Sequence, residues 1–483
     1  MQFLTIQRIL GILLGLFSFS LLPPIAVSLF YQDGSTEAFV SAFLLLLILG
    51  IVFWYPVRKY RRELKIRDGF LVVVMFWVTL SLSGAVPFFL TQVPEMSFTD
   101  AVFESVSGLT TTGATVLTGL DGLPKAVLFY RQFLQWLGGM GIVVLAVAIL
   151  PLLGVGGMQL YRAETPGPMK DSKLTPRITE TAKALWYIYL ALTFACTISY
   201  YLAGMTWFDA ISHSFSTVAI GGFSTHDTSM GFYNSAVIEM VAVVFMLLAG
   251  MNFSLHFIAW RHRSIKHYWA DSELRTYVSI LAFISVITAV YLYFTHTFSS
   301  PWSAVHQGIF QAVSFGTTSG FTTADYYLWP GFLPILLLMT SYIGGCAGST
   351  GGGMKVIRVM LLFKQGYREV LRLIHPNAVF AIKVNNKALP AKVVGAVWGF
   401  FALYVFSFSL MYLLLMATGL DIVTSFSAVT ACLNNLGPGL GDVAVHYGGI
   451  NSPSKWVLCM AMLLGRLEIF TLLVVLTPAF WKR

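Results

Sequence analysis

Long apolar runs alternate with short polar segments along this chain. A helix needs about 20 mostly apolar residues to cross a membrane, and Ile9–Phe30 and Ala38–Val57 are two runs of that kind. Beyond them a unit of four parts recurs: an apolar span, an amphipathic segment too short to cross, a polar stretch around one glycine, and a second span. This pattern predicts an all-α polytopic membrane protein with two extra N-terminal spans and four pseudo-repeats.

Each part of the unit has predicted boundaries. The short segments, which we expect to form half-helices, are Asp100–Leu109, Asp209–Val218, Ser303–Phe315 and Asp421–Leu433. The spans that flank them, in chain order, are Gly69–Leu90, Gln132–Leu153, Ala184–Ala203, Met240–Trp260, Tyr277–Tyr293, Gly331–Phe363, Val393–Thr418 and Val457–Phe480. The predicted division of the chain is residues 1–67 for the two extra spans and residues 68–180, 181–272, 273–388 and 389–483 for the four repeats.

One polar stretch occurs in four copies. Phe315–Thr323 reads Phe-Gly-Thr-Thr-Ser-Gly-Phe-Thr-Thr, and three similar stretches align with it on one glycine each. The aligned glycines, called the key glycines below, are Gly113, Gly222, Gly320 and Gly437. Six residues before them stand Ser107, Ser216, Ser314 and, in the most diverged copy, Ala431. Four copies at comparable spacing predict four walls around one axis.

The charge content indicates a membrane location. Only 11% of the 483 residues are charged, against about 25% in an average soluble chain. The basic residues, which give a net charge of +9, concentrate at residues 58–67, 162–183, 261–275, 355–392 and 482–483. If every half-helix enters and leaves from outside, all these segments are cytoplasmic, as the positive-inside rule requires. The charge is thus a topology signal with cytoplasmic termini, and no nucleic-acid partner is indicated.

The glycine stretches suit a cation pore. Non-helical backbone survives at membrane depth only where it is buried or lines water, and rings of carbonyl groups can replace the hydration shell of a monovalent cation. Glycine permits conformations that turn a carbonyl inward, and the C-terminal end of a half-helix carries partial negative charge. The alternative is a set of small-residue faces for helix packing. Four copies in register, each after a half-helix, favour a selectivity filter.

A second glycine-rich stretch, Tyr342–Gly353, lies inside the last span of the third repeat. Its six glycines, Gly344, Gly345, Gly348, Gly351, Gly352 and Gly353, disfavour a regular helix. A phosphate-binding loop is disfavoured, because Gly-Lys-Ser/Thr is missing, and a mobile gate below the filter fits better. Arg466 is a charge within a span, which suggests either a pore function or a structural role, as an ion pair with Glu468 or another carboxylate or by snorkelling to the cytoplasmic interface.

The remaining polar residues indicate no catalysis. The four cysteines form no C-x-x-C pair, so neither a disulfide framework nor a thiol metal site is predicted. No nucleophile–base arrangement is visible, so the chain is not expected to be an enzyme. Glu104, on the first half-helix, is a candidate for sensing a cation electrostatically. For Arg131 and Glu239, structural pairing at the membrane edge is favoured.

These motifs resemble those of the Trk/Ktr/HKT superfamily of potassium transporters. The resemblance rests on Thr-Thr-Thr-Gly-Ala, Gly-Gly-Phe-Ser-Thr, Thr-Ser-Gly-Phe-Thr-Thr and Asn-Asn-Leu-Gly-Pro, and it covers essentially the whole chain, including the two extra spans of the bacterial Trk branch. It implies that carbonyl groups at and just before each key glycine hold potassium. The implied filter residues are Thr111, Thr112, Gly113, Ile220, Gly221, Gly222, Thr318, Ser319, Gly320, Asn435, Leu436 and Gly437.

The resemblance carries further expectations. It implies gated potassium uptake across the bacterial inner membrane, with the glycine-rich loop and Arg466 closing the pore. It implies a homodimer in membrane lipid that binds a cytosolic ring of TrkA-like, nucleotide-binding regulatory subunits, and no cofactor besides the transported K⁺. In the plant branch, serine at the first-repeat glycine accompanies sodium preference, so Gly113 favours potassium. The rival hypothesis is a Na⁺- or H⁺-coupled symporter, since broken helices at the midplane suit that class as well.

Overall fold

A computed structural model describes residues 2–60, 65–141, 178–385, 387–467 and 469–482. The helices before the first repeat are α1 (Phe3–Phe19), α2 (Leu22–Tyr31) and α3 (Thr36–Trp54). The first repeat contains α4 (Ile66–Leu90), α5 (Phe98–Leu109), α6 (Lys125–Trp136) and a π-helical turn at Leu137–Gly141. The second contains α7 (Ile178–Leu202), α8 (Trp207–Ala219), α9 (Ala236–Gly250), α10 (Phe253–His262) and α11 (Lys266–Ala270).

The third repeat contains α12 (Ser272–Phe294), α13 (Pro301–Thr317), α14 (Leu333–Thr340) and α15 (Val356–Ile374). A two-stranded antiparallel hairpin, β1 (Lys383–Val384) and β2 (Lys387–Ala388), follows it. The fourth contains α16 (Ala391–Ala417), α17 (Ile422–Leu433), α18 (Ser452–Arg466), α19 (Phe470–Leu476) and α20 (Pro478–Trp481). Within the described residues, six helices are long and apolar enough to cross a membrane, and two bent pairs raise that number to eight.

The four half-helices are α5, α8, α13 and α17, close to their predicted bounds. Side-chain oxygens at the N-caps start three of them, because Ser97, Thr206 and Asp421 accept hydrogen bonds from the first turn. The third begins instead with Pro301, whose fixed φ suits a first helical turn. After each half-helix the chain returns through a segment that contains a short 3₁₀ turn. These turns are Leu120–Gly122, Ser229–Tyr233, Tyr326–Leu328 and Gly441–Val443.

The polar half-helices lie inside and apolar side chains cover the outside. In α5 every residue from Ala101 to Leu109 is buried, whereas Phe283, Val286 and Val290 on α12 are exposed. A soluble protein would not leave such large apolar side chains exposed along a long helix. Since lipid solvates apolar side chains and cannot hydrogen-bond polar ones, this arrangement is that of a multi-pass membrane protein.

Among the described residues, two of the predicted second spans are bent helix pairs rather than continuous helices. The predicted Met240–Trp260 is two helices, α9 and α10, that meet at 92°, and the predicted Val457–Phe480 breaks after Arg466, where α18 and α19 meet at 117°. Asn252 caps a new helix by accepting a hydrogen bond from the Ser254 N–H at 2.8 Å. In the first repeat α6 ends in the π-helical turn. The predicted interruption of the third repeat, between Thr340 and Val356, is confirmed.

Some predictions fall outside the described residues. The part of Gln132–Leu153 beyond residue 141, the basic residues Arg162, Lys170, Lys173 and Arg177, and the proposed Arg466 partner Glu468 all lie there.

Asp33 joins the N-terminal helices to the first repeat. Its carboxylate accepts a 2.7 Å hydrogen bond from the Ala126 N–H, in the first turn of α6, and further bonds from Ser28 and Ser35. Burial opposes ionisation, but the hydrogen bonds from Ser28, Ala126 and Ser35 outweigh it and lower the pKa of Asp33 below its usual value. A negative charge at a helix N-terminus is favourable, so Asp33 anchors the extra helices to α6.

Replacing this carboxylate tests the anchor. We expect Asp33→Asn to lower the free energy of unfolding at neutral pH by about 1 kcal/mol, because the acceptor of these hydrogen bonds loses its charge. The Tm of the detergent-purified protein should fall accordingly. The pKa of Asp33 is lower in the folded state than in the unfolded state. The extra stability of the native protein over the variant is therefore present above the usual aspartate pKa, and it disappears as the pH falls through the lowered value. Glu37→Gln, at an exposed acidic residue nearby, is the control. An equal loss in both variants would contradict the anchor.

Candidate functional site

The four key glycines form a closed ring around one axis. A methyl group added at any of them would lie within 3.0 Å of a carbonyl oxygen in the next repeat. The pairs, in order, are Gly113 with Gly221, Gly222 with Ser319, Gly320 with Leu436, and Gly437 with Thr112. Each of these oxygens belongs to the residue just before the neighbouring key glycine. The ring therefore puts one carbonyl from every repeat against the next repeat, and it leaves no room for a side chain there.

The backbone of the filter stretches alternates in handedness. The key glycines have φ of +84°, +78°, +77° and +96°. Two residues earlier φ is also positive, at Thr111, Ile220, Thr318 and Asn435, while the residue between is not left-handed. Alternation of this kind turns successive peptide groups to the same side. Left-handed φ is strained for β-branched residues and persists only where the surroundings impose it, so the ring contacts hold this geometry.

An equivalent backbone hydrogen bond closes the C-terminal end of every half-helix. The residue before each key glycine donates its N–H to the carbonyl six residues before that glycine. These bonds are Thr112 to Ser107 at 2.9 Å, and Gly221 to Ser216, Ser319 to Ser314 and Leu436 to Ala431 at 2.8 Å. Since the acceptor is the backbone oxygen, Ala431 serves as well as serine, which explains the diverged fourth copy.

A cavity opens on one side of the ring. It has a volume of about 520 Å³, and all four key glycines line it together with the return segments. At its edge His226 contacts the Asp121 carboxylate of the first repeat, and its Nε2 lies 3.6 Å from Asp209. Burial by itself lowers the pKa of His226, but the Asp209 and Asp121 carboxylates outweigh it and raise that pKa above its usual value. We call this cavity the vestibule.

The glycine-rich segment lies across the opposite side of the ring. We call residues 341–355 the intramembrane loop. Thr350 Oγ1 donates to the Val218 carbonyl at 2.9 Å, the Gly352 N–H donates to Thr318 Oγ1 at 2.7 Å, and the Gly353 N–H donates to the Asn434 carbonyl at 3.0 Å. The loop thus bonds the C-terminal ends of the second, third and fourth half-helices.

Two loop glycines are required by close approach. A side chain at Gly352 would overlap the Asn434 carbonyl, and one at Gly344 would overlap the Gly352 carbonyl. Gly344, Gly348 and Gly353 also have positive φ. The predicted interruption of the span is therefore a compact turn that rests directly against the half-helix ends.

Arg466 lies where the loop meets the first repeat. Its guanidinium donates to Thr111 Oγ1 at 3.1 Å and to the Thr350 carbonyl at 3.2 Å. It also donates to the carbonyls of Gly138 and Gly139. Arg466 therefore bridges Thr111 at the end of the first half-helix, the loop and the π-helical turn after α6.

The π-helical turn of the first repeat and the breaks of the other three second spans meet in this layer. The first contributes Gly138 and Gly139, the second the carbonyls of Ala249 and Gly250, the third the intramembrane loop, and the fourth Arg466. The loop bonds the second break through the Cys346 N–H, which donates to the Gly250 carbonyl at 2.9 Å. Backbone groups freed by the breaks are thus satisfied by one another, as membrane depth demands.

Comparison with known proteins adds a family to this geometry. The profile of the TrkH family, described as a cation transport protein, matches residues 35–483. The chain belongs to the TrkH family. It is 59% identical to the Trk system potassium uptake protein TrkH of Vibrio parahaemolyticus over 484 residues, which cover 100% of both chains. It is 55% identical to the protein of that name from Escherichia coli K12, again over 100% of both.

A solved structure of the family agrees with the fold. The crystal structure of the potassium transporter TrkH from Vibrio parahaemolyticus matches with a TM-score of 0.91 and 57% identity, covering 100% of both chains. The TrkH family resemblance inferred from the filter motifs is confirmed, and so is the helical membrane fold.

The sequence pattern missed some residues of this TrkH-family site. Thr350 was not among the predicted gate residues, although it bonds the second and fourth repeats, and the contact of Gly138 and Gly139 with Arg466 was not predicted. A signal was available: each second span carries a glycine at a similar distance after its key glycine, namely Gly138, Gly250, Gly344 and Gly465. At Gly465 a side chain would overlap the Leu433 carbonyl, so this glycine marks the break.

The serines of the half-helices provide a matched test of the closure. Ser107 and Ser216 have buried hydroxyls without a hydrogen-bond partner, whereas Ser314 Oγ donates to the Phe321 carbonyl at 2.6 Å. We expect Ser216→Ala and Ser107→Ala to leave the Tm unchanged or raised, and Ser314→Ala to destabilise by about 1–3 kcal/mol, because a buried carbonyl loses its partner. Thermal unfolding in detergent measures this. Equal changes of Tm at the three positions would contradict the view that the half-helix ends are closed by backbone groups alone.

Proposed function

We propose that this chain takes up potassium ions across the bacterial inner membrane through a selective, gated, channel-like pore. The observation that carries the proposal is the ring in which each key glycine faces a carbonyl of the next repeat. A cation on this axis would meet one carbonyl layer from four sides, with the partly negative ends of four half-helices aimed at it. Such a layer can replace the hydration shell of a monovalent cation.

The proposed filter residues are the twelve predicted from the motifs. They are Thr111, Thr112, Gly113, Ile220, Gly221, Gly222, Thr318, Ser319, Gly320, Asn435, Leu436 and Gly437. None of them is charged, which suits recognition by backbone oxygen and allows rapid release of the ion. Potassium is favoured because the similar proteins are named potassium uptake proteins, and because Gly113 stands where sodium-preferring plant relatives carry serine.

The proposed gate consists of the intramembrane loop with Gly344, Gly345, Gly348, Gly351, Gly352 and Gly353, and of Arg466. Its support is the set of hydrogen bonds that hold the loop against three half-helix ends. Arg466 joins the loop to Thr111 of the first repeat. A loop in this position obstructs the axis on the side away from the vestibule. Conduction then requires the loop to leave the half-helix ends.

The partners and topology follow as part of the proposal. A homodimer with cytoplasmic termini would present the basic segments to a cytosolic ring of TrkA-like, nucleotide-binding subunits that regulates the gate. The relatives are named as proteins of a Trk system, and a system of this kind implies further components. The division of the chain into two extra spans and four repeats, with boundaries after residues 67, 180, 272 and 388, is part of the same proposal. K⁺ is the transported ion, and the chain is a transporter of its family rather than an enzyme.

A symporter remains the second candidate because of one observation, the sharply bent helix pairs at membrane depth. Uptake by a symporter would show a fixed stoichiometry with Na⁺ or H⁺, whereas a pore would show passive flux at rates far above those of carriers.

The filter assignment is tested by flux into proteoliposomes. We expect the native chain to carry K⁺ faster than Na⁺, and Gly113→Ser to let Na⁺ compete, because a side chain there would push against the Gly221 carbonyl and change the ring. Gly395→Ser, where a side chain would meet nothing within 4 Å, is the control. Unchanged ion preference in Gly113→Ser would contradict the filter, and coupled flux of fixed stoichiometry would favour the symporter.

The gate assignment has its own test. Arg466→Gln is expected to raise K⁺ flux of the isolated chain about tenfold, because hydrogen bonds from a charged donor contribute about 1.5–3 kcal/mol to the closed arrangement. Deletion of residues 345–351 should raise it as well, with the K⁺/Na⁺ ratio less affected than the rate. Arg275→Gln, at an exposed position of α12, is the control. Flux that stays the same or falls in the well-folded Arg466 variant would contradict a closing role.

A further inference from the structure

Behind the ring, the first repeat holds a buried ion pair. Glu104 on α5 and Arg131 on α6 are both fully buried, and Arg131 Nε lies 2.6 Å from Glu104 Oε1. Burying two charges is costly unless their remaining polar atoms are also bonded. Because the carboxylate is neutralised by Arg131, Glu104 does not present a free negative charge to the axis. The electrostatic sensing considered for Glu104 from the sequence is therefore wrong.

The carboxylate fastens the chain that leaves the first filter stretch. It accepts hydrogen bonds from Thr115 Oγ1 at 3.0 Å and from the Val116 N–H at 3.0 Å. These residues follow Gly113 by two and three positions. Glu104 thereby ties the outer end of the filter stretch to the half-helix that precedes it.

The guanidinium extends this connection to the second repeat. Arg131 Nη2 donates to Thr115 Oγ1 at 3.0 Å, and Nη1 donates to the Ser224 carbonyl at 3.1 Å. The guanidinium also lies 4.3 Å from the centre of the Phe223 ring, where a cation–π contact is favourable. Phe223 and Ser224 directly follow Gly222, so one side chain holds the outer ends of two neighbouring filter stretches.

The same face of α6 makes further contacts with the second filter stretch. Gln132 Nε2 donates to the Phe223 carbonyl at 3.0 Å. Gln135 Nε2 donates to the Gly221 carbonyl at 2.5 Å, and Gln135 Oε1 accepts from the Phe223 N–H at 3.1 Å. Gly221 supplies the oxygen that faces Gly113 in the ring. The position of this oxygen is thus determined by α6, with Arg131 at the outer end of the set.

The other repeats carry weaker versions of this support. The position nine residues before the key glycine is Glu104, His213, Gln311 and Ala428 in the four repeats. His213 Nε2 hydrogen-bonds Ser224 Oγ at 2.9 Å, and Gln311 Nε2 donates to Thr323 Oγ1 at 3.4 Å. Ala428 has no polar side chain. At this position the side chain connects the half-helix to its return segment through an ion pair in the first repeat and through neutral hydrogen bonds in the second and third. The fourth repeat has no such side-chain connection.

We propose that Glu104 and Arg131 are positioning residues for cation selectivity, which hold the carbonyl ring at a fixed width between the first and second repeats. This inference rests on the proposed function, conduction of potassium through that ring. In the size-based account of carbonyl filters, a layer discriminates between cations of different radius because its oxygens resist following the smaller ion. The buried pair supplies that resistance together with Gln132 and Gln135 on the same helix, and it alone among them joins the first filter stretch to the second. It acts by position, since its net charge is zero.

The test compares ion preference with total flux in proteoliposomes. The variants are Arg131→Lys, which retains the charge but not the planar set of donors, and the double variant Glu104→Gln/Arg131→Gln, which removes both charges together. The matched control is Glu239→Gln/His306→Gln, which removes a second buried pair, with Glu239 Oε2 3.4 Å from His306 Nδ1. K⁺, Rb⁺ and Na⁺ fluxes are measured for each, and the Tm in detergent reports on folding.

We expect the K⁺/Na⁺ flux ratio to fall about tenfold in the double variant, by analogy with outer-shell partners of bound metals, whose loss costs about 10- to 100-fold in affinity. Arg131→Lys should give a smaller fall, and the control should keep the native ratio. A native ratio in folded Arg131→Lys and in the folded double variant would overturn the inference. If the double variant does not fold, Arg131→Lys alone decides. Absence of K⁺ flux in the native chain would instead overturn the proposed function.

Discussion

The structure depends on one constraint: backbone carbonyl groups that leave a helix at membrane depth must find a partner inside the protein. In each repeat the chain leaves its half-helix inside the protein, where lipid could not bond the freed backbone groups. The ring answers this constraint by setting each filter stretch against the next, with glycine at every point of contact because a side chain would overlap a carbonyl oxygen. A cation supplied from the vestibule is the natural further partner for oxygens held in this way.

The intramembrane loop bonds groups that directly precede or begin the proposed filter stretches. The loop bonds the Val218 and Asn434 carbonyls and the Thr318 hydroxyl, which are the last groups of three half-helices. Arg466 adds Thr111 of the first repeat. In the proposed mechanism, a loop that moves away exposes these groups to water in a conducting path. Filter and gate are then coupled by direct contact, without any intermediate element.

The repeats agree in backbone and differ in side chains. The hydrogen bond that closes each half-helix uses a carbonyl, so it survives the change from serine to Ala431. The support nine residues before the key glycine uses a side chain, and it changes from the Glu104–Arg131 pair to His213, Gln311 and Ala428. Where the backbone supplies the chemistry, the sequences of the repeats are free to diverge. The unequal side chains give the first repeat an ionic support that the fourth lacks.

The sequence by itself determined the membrane class, the four half-helices to within a few residues, and the register of the key glycines. Apolar length, charge distribution and a repeated motif are local properties, and they carry that information. It also placed the glycine-rich loop and Arg466 as candidates. The tertiary structure decided the breaks in the second spans, since α9 and α10 part at Asn252 and α18 ends at Arg466 because neighbouring repeats approach there. It also decided that Glu104 is paired and that Thr350 joins the loop to two repeats. Contacts between residues far apart in the chain fix these features, and of them only the breaks are marked in the sequence, by one glycine in each second span.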